Sequence, residues 1–265
     1  MGTGGLLPAQ SVDAAIAFGG VSKRFVRADG SELLAVEDVS FAVPPGRIVA
    51  LLGPSGSGKT TLLNMAAGLI APDTGEVGIA GRTGSRIDWR RIGYMFQDDR
   101  LLPWRNAANN VALALEAENT SPAERRRRVA AMLALVGLTD FALAYPHELS
   151  GGMRSRVALA RGLVTDADIL LMDEPFARLD SETRSAMHAE LLSLQQKRGL
   201  AILFVTHDAE EAVILADEIV VLSARPGRVR RRVTVESPPP RRARPEIYAL
   251  AQDLRAETGG EAGTA

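Results

Sequence analysis

Residues 53–60 read GPSGSGKT, directly after the apolar run IVALL at 48–52 and directly before the helix-prone run TLLNMAA at 61–67. A strand, a glycine-rich loop and a helix in this order hold nucleotide phosphates, because glycines let backbone N–H groups converge on phosphate oxygens. Lys59 is placed to reach the β- and γ-phosphates, and the Thr60 hydroxyl is placed to ligate Mg²⁺. The stretch predicts a nucleotide-binding α/β fold with these candidate nucleotide-binding residues: Gly53, Pro54, Ser55, Gly56, Ser57, Gly58, Lys59, Thr60 and Thr61.

A second apolar run, ADILLMDEP at 167–175, ends in two acids, Asp173 and Glu174. Such a run is typical of a buried parallel strand, and ligands of parallel sheets bind beyond the carboxyl ends of the strands. We expect Asp173 to hold Mg²⁺, directly or through water, and Glu174 to polarise the water that attacks the γ-phosphate. The pattern therefore predicts hydrolysis of the nucleotide as well as its binding.

The segment LSGGM at 149–153 lies between these two features and opens a helix-compatible stretch that continues to about Val164. Taken alone, Ser-Gly-Gly most often marks a turn or a helix cap. In this position it resembles the signature motif of the ATP-binding cassette (ABC) family, usually written LSGGQ. The resemblance extends over nearly the whole chain through Phe25 for the aromatic residue that stacks on adenine, Gln97 for the Q-loop, Leu179 and Asp180 for the end of the D-loop, and His207 for the switch histidine.

The resemblance implies ATP hydrolysis at an interface shared by two copies of the cassette. Thr60 and Gln97 would hold Mg²⁺ with Asp173 behind them, and Lys59, Glu174 and His207 would carry the hydrolysis chemistry. The signature segment would complete the partner's site, because the N-terminus of a helix can face the γ-phosphate of ATP bound by the other copy. The signature residues concerned are Ser150, Gly151, Gly152 and Met153.

Two motifs depart from the pattern of the family. In the signature motif, Met153 stands where glutamine is usual, and Ser155 stands where a long polar residue is common. In the D-loop, Arg178 replaces the usual small residue. We expect these changes to affect communication across the dimer interface and to leave the hydrolytic groups in place.

The remaining sequence predicts an α/β core with a mostly parallel sheet, an N-terminal antiparallel β-layer and an inserted helical subdomain. Residues 15–43 alternate with Val39, Phe41 and Val43 on one face, which suits an antiparallel layer. β-runs recur at 169–172, 201–205 and 218–222, with a helix over 183–198 between the first two. We predict an ATPase domain over residues 12–235 with a helical insert over about 101–164, and then a Pro/Arg-rich linker, a short helix and a disordered tail over 236–265.

Inside the insert, SPAE at 121–124 predicts a capped helix with proline at its first position, followed by an apolar stripe that includes Val129 and Val136. Near the C-terminus, Ile247, Leu250 and Leu254 predict the short helix. The arginine runs at 125–128 and 230–232 and the arginines of the proline linker are interpreted as solvated surface. His147 and His188 are interpreted as surface or capping groups.

Composition limits the classes of function that need to be considered. The chain has 265 residues and a formal net charge of −1, so no overall charge draws it to nucleic acid. It has no cysteine, which excludes disulfides and thiolate metal sites. No apolar run reaches the roughly 18 residues of a membrane span, and the N-terminus lacks the pattern of a signal peptide, so we expect a cytoplasmic protein.

The leading hypothesis is therefore the ATPase subunit of a membrane importer, bound at the cytoplasmic face of the inner (plasma) membrane to separate permease subunits. The expected cofactors are ATP and Mg²⁺, and the expected partners are a second copy of the chain, the permease and a solute-binding protein, without nucleic acid. MFQDDRLLPW at 95–104 and SARPGR at 223–228 resemble the nitrate, sulfonate and taurine importers within the family. Leu101, Leu102 and Trp104 can form either a docking surface for the permease or the core of the insert. The alternatives are a soluble cassette ATPase acting on nucleic acid or ribosomes, and a regulatory pseudo-ATPase.

Overall fold

The strand before the glycine-rich loop, β3 (Ile48–Leu52), lies in the middle of a six-stranded sheet and is buried along its whole length. In the computed structural model, which describes residues 14–118, 120–239, 241 and 244–259, the strand order of this sheet is β10-β9-β3-β8-β7-β6. Alternate residues of β3 point to opposite faces, so Ala50 packs into one hydrophobic core and Leu51 into the other. A strand covered on both faces must be apolar at every position, as IVALL is.

The other strands of this sheet are β6 (Ile92–Met95), β7 (Ile169–Asp173), β8 (Ala201–Thr206), β9 (Glu218–Leu222) and β10 (Val229–Thr234). All pairs are parallel except β9 with β10 at the edge. The carboxyl ends of β3, β7 and β8 therefore lie at one edge of the sheet, where the glycine-rich loop, the two acids and His207 follow. The mostly parallel core predicted from the apolar runs is confirmed.

A second sheet covers one face of the first and is antiparallel, in the order β2-β1-β4-β5. Its strands are β1 (Ile16–Val26), β2 (Glu32–Val43), β4 (Thr74–Ile79) and β5 (Arg82–Thr83). Val39, Phe41 and Val43 are buried in the core between the two sheets, which confirms the antiparallel layer predicted over 15–43. Helix α1 (Lys59–Ala66) contributes Leu62 and Leu63 to the same core.

Helices replace strands between β6 and β7 in the described residues 101–118 and 120–164. They are α2 (Ala107–Ala112), α3 (Pro122–Leu135) and α4 (Gly151–Leu163), joined by short 3-10 turns. Ser121 caps α3 by accepting a hydrogen bond from the Glu124 backbone N–H at 3.2 Å, as the capping pattern predicts. Val129 and Val136 are buried, so the predicted apolar stripe forms the contact of α3 with the rest of the insert.

The C-terminal third contains α5 (Ser181–Arg198), α6 (Ala209–Leu215) and α7 (Pro245–Gly259). Helix α7 confirms the predicted terminal helix, and its Ile247 and Leu254 lie in the larger core beside residues of α6. Helix α7 also includes Gly259, where the disordered tail was predicted to begin. Residue 12 at the predicted domain start, Arg242 of the linker and residues 260–265 of the predicted tail lie outside the described residues.

Two interpretations of polar residues as surface groups were wrong. Arg241 of the linker is buried, and its guanidinium lies 3.1 Å from the Asp217 carboxylate. His188 is buried against the edge of the Phe176 ring, 3.5 Å from Glu211. In both cases an acid distant in sequence supplies a partner that local reasoning does not reveal.

The arginine run at 230–232 is exposed, as interpreted, but it belongs to strand β10. Arg232 donates to the Glu218 carboxylate on the neighbouring strand, and Arg231 pairs with Asp253 of α7 at 2.8 Å. These side chains therefore link the edge strand to its neighbours while they remain in solvent.

No helix in the described ranges combines the length and the apolar character needed to cross a membrane.

Candidate nucleotide-binding site

The glycine-rich loop wraps around the ammonium group of Lys59. Lys59 Nζ donates hydrogen bonds to the carbonyl oxygens of Gly53 at 2.7 Å and Pro54 at 2.8 Å. Only 7% of Lys59 is exposed, and this burial lowers the pKa of its ammonium group, although the nearby carboxylates of Glu174 and Asp173 oppose the shift. A cation held by the loop's own carbonyls is already in place for an anion that enters the loop.

Gly58 explains why the loop requires glycine. Its φ is 85°, in the left-handed region that other residues rarely adopt. A Cβ at this position would lie 2.3 Å from Cγ1 of Val36 and 2.9 Å from the Ala35 carbonyl oxygen. Gly58 is also the N-cap of α1 and supplies no side-chain hydrogen bond, so the first N–H groups of the helix are available to phosphate oxygens.

The two predicted acids lie at the end of β7 and differ in burial. Asp173 is 3% exposed, and burial raises the pKa of its carboxyl group; the hydrogen bond from Thr60 and the charge of Lys59 oppose this shift. Glu174 follows with a φ of 48° and donates its backbone N–H to the Val205 carbonyl oxygen at 3.0 Å. This backbone hydrogen bond fixes Glu174 at the carboxyl edge of the sheet.

Glu174 contacts two other predicted site residues, the predicted catalytic residue His207 and the predicted Mg²⁺ ligand Gln97. Gln97 Nε2 donates to one carboxylate oxygen of Glu174 at 3.2 Å, and His207 Nδ1 lies 3.3 Å from the other. The three side chains come from the ends of different strands, so the parallel sheet places them together. Gln97 and His207 lie 77 and 33 positions from Glu174 in the sequence, so local sequence does not predict that the three side chains touch.

A cavity of about 320 Å³ opens between the glycine-rich loop and β1. Phe25, 38% exposed, lies at its wall, so its ring is accessible to a ligand. The sequence analysis did not identify Leu33, Ala35 and Arg225 as lining residues, because only the tertiary structure brings them to the cavity. The described lining residues are Phe25, Leu33, Ala35, Ser55, Gly56, Gly58, Lys59, Thr60, Thr61, Gln97, Glu174 and Arg225.

The oxygen donors near the phosphate loop fit a magnesium ion. Mg²⁺ in nucleotide sites typically takes one or two carboxylates and completes its shell with phosphate oxygens and water. Asp173 is a buried carboxylate with the Thr60 hydroxyl within hydrogen-bonding reach, so the two side chains offer neighbouring oxygen ligands. No group of three His, Cys, Asp or Glu in the described ranges forms a preformed metal cage.

The predicted signature residues lie apart from this cavity. Ser150 caps α4 by accepting a hydrogen bond from the Met153 backbone N–H at 3.2 Å, and the Ser155 hydroxyl donates to the Gly151 carbonyl oxygen at 3.2 Å. None of the residues 150–153 is among the described residues that line the cavity. The D-loop residue Asp180 caps α5 and accepts from the Thr183 N–H at 2.9 Å.

Arg178 joins three of the predicted motifs through charge. Its guanidinium lies 2.8 Å from the Asp98 carboxylate and 3.9 Å from that of Asp99, in the segment that follows Gln97. Asp99 in turn pairs with Arg154 of α4 at 3.0 Å. The large D-loop residue therefore connects the segment after Gln97 to the beginning of the signature helix.

The apolar residues after Gln97 were predicted to form either a docking surface for the permease or the core of the insert, and they differ in burial. Leu101 is 9% exposed and belongs to the larger core, whereas 71% of Trp104 is exposed. The core interpretation therefore holds for Leu101 and is wrong for Trp104. A large exposed aromatic residue on the insert is a candidate for contact with a partner.

Comparison with known proteins gives consistent matches. Residues 36–177 match the family model described as ABC transporter. The chain is 45% identical over 219 residues to an aliphatic sulfonates import ATP-binding protein of Xanthomonas axonopodis pv. citri (strain 306), covering 82% of this chain and 86% of that protein. It is 41% identical over 220 residues to a nitrate import ATP-binding protein of Synechocystis sp. (strain ATCC 27184 / PCC 6803 / Kazusa), covering 82% and 81%.

A taurine import ATP-binding protein of Rhizobium johnstonii (strain DSM 114642 / LMG 32736 / 3841) is 46% identical over 200 residues, which cover 76% of each chain. Among solved structures, a dimeric ATP-binding cassette in a post-hydrolysis state with ADP and Pi superposes with a TM-score of 0.77 at 32% identity. The match covers 84% of this chain and 99% of that one.

Proposed function

This chain belongs to the ABC transporter family, and we propose that it is the ATP-hydrolysing subunit of an importer for a sulfonate, taurine or nitrate type of solute. The site assignment rests on the contact of Glu174 with both Gln97 and His207, beside the loop that holds Lys59. A base, a cation and a phosphate-binding loop at one sheet edge are the groups that ATP hydrolysis requires.

Binding of ATP uses the cavity from end to end. Adenine stacks on the accessible ring of Phe25, and the phosphates lie along the loop at 53–60. Lys59 turns its ammonium group from the Gly53 and Pro54 carbonyl oxygens toward the β- and γ-phosphates. Thr60, Gln97 and Asp173 would hold Mg²⁺, which when bound would neutralise negative charge on the phosphates.

Hydrolysis depends on the Glu174 carboxylate. Glu174 accepts a proton from the attacking water, and its contact with Gln97 and His207 keeps it oriented at the phosphate end of the cavity. His207 is positioned to reach the γ-phosphate from the same edge. The products are inorganic phosphate and ADP.

The site of one chain is completed by a second copy. Ser150, Gly151, Gly152 and Met153 lie outside the cavity of their own chain, at the beginning of α4. In the dimer they face the γ-phosphate of the partner's ATP, with the D-loop residue Asp180 close to the interface. The solved cassette that this chain resembles is a dimer bound to ADP and Pi, which supports such an arrangement.

Transport requires partners beyond the dimer. We assign the permease to separate membrane subunits, place this chain at the cytoplasmic face of the inner membrane, and include a solute-binding protein in the complete importer. Trp104, which is exposed, and the half-buried Leu102 form the candidate contact for a helix of the permease. We keep residues 12–235 as the ATPase domain with its insert at about 101–164; the segment from 236 contributes α7, which packs against that domain.

Two substitutions test the site. Glu174→Gln should retain ATP affinity and lose turnover by about 10²–10⁴-fold, the contribution of a positioned general base. Lys59→Ala should lose ATP affinity itself because the phosphates lose their buried cation. Nucleotide binding and steady-state phosphate release by the purified chain separate the two effects. Turnover near the wild-type rate in Glu174→Gln would remove Glu174 from this role.

A further inference from the structure

The hairpin between β9 and β10, which reads SARPGR at 223–228, is seated on the glycine-rich loop. Gly227 donates its N–H to the Ala35 carbonyl oxygen at 2.9 Å and accepts from the Glu37 N–H at 2.9 Å. A Cβ at Gly227 would lie 2.0 Å from the Ser57 carbonyl oxygen, so the two backbones touch. The hairpin is therefore packed directly against the loop.

Within this hairpin, Arg225 extends over the middle of the loop. Its Nε donates to the Gly56 carbonyl oxygen at 3.3 Å, and one terminal nitrogen lies 2.7 Å from the place a Cβ on Gly56 would occupy. Arg225 lines the same cavity as Lys59 and Thr60. A guanidinium is thus held at the wall of the cavity that receives the phosphates.

Arg225 forms no ion pair within the described part of the chain. No carboxylate there lies within ion-pair distance of Arg225, and its hydrogen bond to Gly56 engages one of five N–H donors. Arg228 of the same hairpin differs, because its guanidinium binds the Glu37 carboxylate at 3.1 and 2.6 Å. The two arginines share a hairpin and differ in whether they face an acid or the cavity.

We propose that Arg225 is a further nucleotide-binding residue, whose guanidinium contacts the phosphate oxygens of ATP bound in the loop at 53–60. The inference deepens the proposed function and rests on it. A planar guanidinium with several N–H donors matches the geometry of phosphate oxygens, and such charge-assisted hydrogen bonds are stronger than neutral ones. Arg225 thereby supplies a second cation to the phosphates, from outside the glycine-rich loop.

The contact predicts a dependence on phosphate charge. Arg225 should contribute most to ATP, less to ADP and nothing to adenosine, because only the phosphates carry the charge it recognises. A merely structural brace on Gly56 would lower affinity for all three ligands equally and would lower the melting temperature. These two roles are therefore distinguishable by binding and melting measurements.

The test uses the full chain with Arg225→Ala, Arg225→Lys and the matched control Arg228→Ala. Titration calorimetry with ATP, ADP and adenosine, with magnesium, should show ATP bound roughly tenfold more weakly by Arg225→Ala, the equivalent of one lost charge-assisted contact. Adenosine affinity and melting temperature should stay at wild-type values. Arg225→Lys should recover part of the ATP affinity, and Arg228→Ala should bind all three ligands as the wild type does.

Lys59→Ala, measured alongside, separates this inference from the proposed function. If Lys59→Ala loses ATP and Arg225→Ala binds it as the wild type does, the site stands and the role of Arg225 is overturned. If Lys59→Ala also binds ATP normally, the proposed site itself fails. If Arg225→Ala loses affinity for ATP and adenosine equally and melts at a lower temperature, Arg225 only stabilises the structure of the loop, and the proposal is overturned.

Discussion

Two helix N-termini in this chain follow tight loops, and they are built differently. Helix α1 starts after a glycine N-cap that leaves its N–H groups without a side-chain partner, while Ser150 caps α4 through its hydroxyl. The cavity beside α1 is lined by a buried lysine, the Glu174 carboxylate and an accessible aromatic ring, and none of the residues 150–153 is among its described lining residues. The two N-termini are therefore suited to different roles in the proposed ATPase: the N-terminus of α1 to binding ATP in its own chain, and that of α4, which lies outside this cavity, to contacting ATP bound by a second copy.

The largest expected effect tests the α4 terminus. Ser150→Arg should leave the ATP affinity of the single chain unchanged, because Ser150 does not line its cavity. It should weaken ATP-dependent dimerisation by about 100-fold or more, since the interface would have to bury an unpaired charge. Sedimentation with and without ATP in the Glu174→Gln background measures this. Normal dimers together with lost ATP affinity would place Ser150 in the nucleotide site of its own chain.

A smaller effect is expected from substitution of Trp104, which lies on the helical insert and belongs to neither the N-terminus of α1 nor that of α4. Trp104→Ala should change neither ATP affinity nor dimerisation and should move the melting temperature little, because the side chain is 71% exposed. It should weaken association with the permease by about 30-fold, as loss of an aromatic anchor of ~2 kcal/mol does. Co-purification and transport in a reconstituted complex test this. A large fall in melting temperature with intact assembly would return Trp104 to a packing role.

The prediction from the sequence was strongest where the signal is local. GPSGSGKT and ADILLMDEP lie at the ends of continuous apolar runs, and both strands formed where those runs predicted them. The short strands β4, β6 and β10 were missed because their sequences, TGEVGI, IGYM and VRRRVT, carry glycines or charges. β4 and β6 become strands by pairing with β1 and β7, which are distant in sequence, and β10 by pairing with β9 across the hairpin. Tertiary pairing overrides weak local propensity in such cases.

The same reasoning applies to the site. Lys59 and Glu174 could be named from the chain because each follows a recognisable run. Arg225 could not, since only the hairpin contact of Gly227 with Ser57 brings it to the cavity. Its pattern SARPGR indicated a subgroup of the family without indicating a place in the fold.

A still smaller effect concerns stability and Asp173, the buried acid at the end of β7. Because the pKa of Asp173 is raised above its ordinary value of 3.8, mainly by burial, the folded chain binds this proton more tightly than the unfolded chain does. The corresponding stabilisation is fully present below pH 3.8 and is lost as the pH rises through the raised value. Asp173→Asn stays neutral and keeps an oxygen for the Thr60 hydroxyl, so it retains that stabilisation at neutral pH.

Asp173→Asn should therefore melt a few degrees above the wild-type chain at pH 7.5 without nucleotide, with the difference shrinking as the pH falls, while magnesium-dependent hydrolysis is lost. Thermal unfolding over a pH series, with Ser150→Ala at the other terminus as a control that carries no ionisable group, measures the effect. A variant that is less stable than the wild type at neutral pH would show that the carboxylate stabilises the empty pocket.

A mixing experiment tests whether ATP is hydrolysed between the cavity beside α1 of one chain and the N-terminus of α4 of another. Lys59→Ala keeps an intact N-terminus of α4 but cannot bind ATP in its own nucleotide site. Ser150→Arg keeps an intact nucleotide site but has an altered N-terminus of α4. Each should be inactive alone, and the mixture should hydrolyse ATP well above the sum of the two, because one heterodimer assembles one intact composite site. A mixture no more active than that sum, with both chains folded and ATP-bound heterodimers present, would contradict the account.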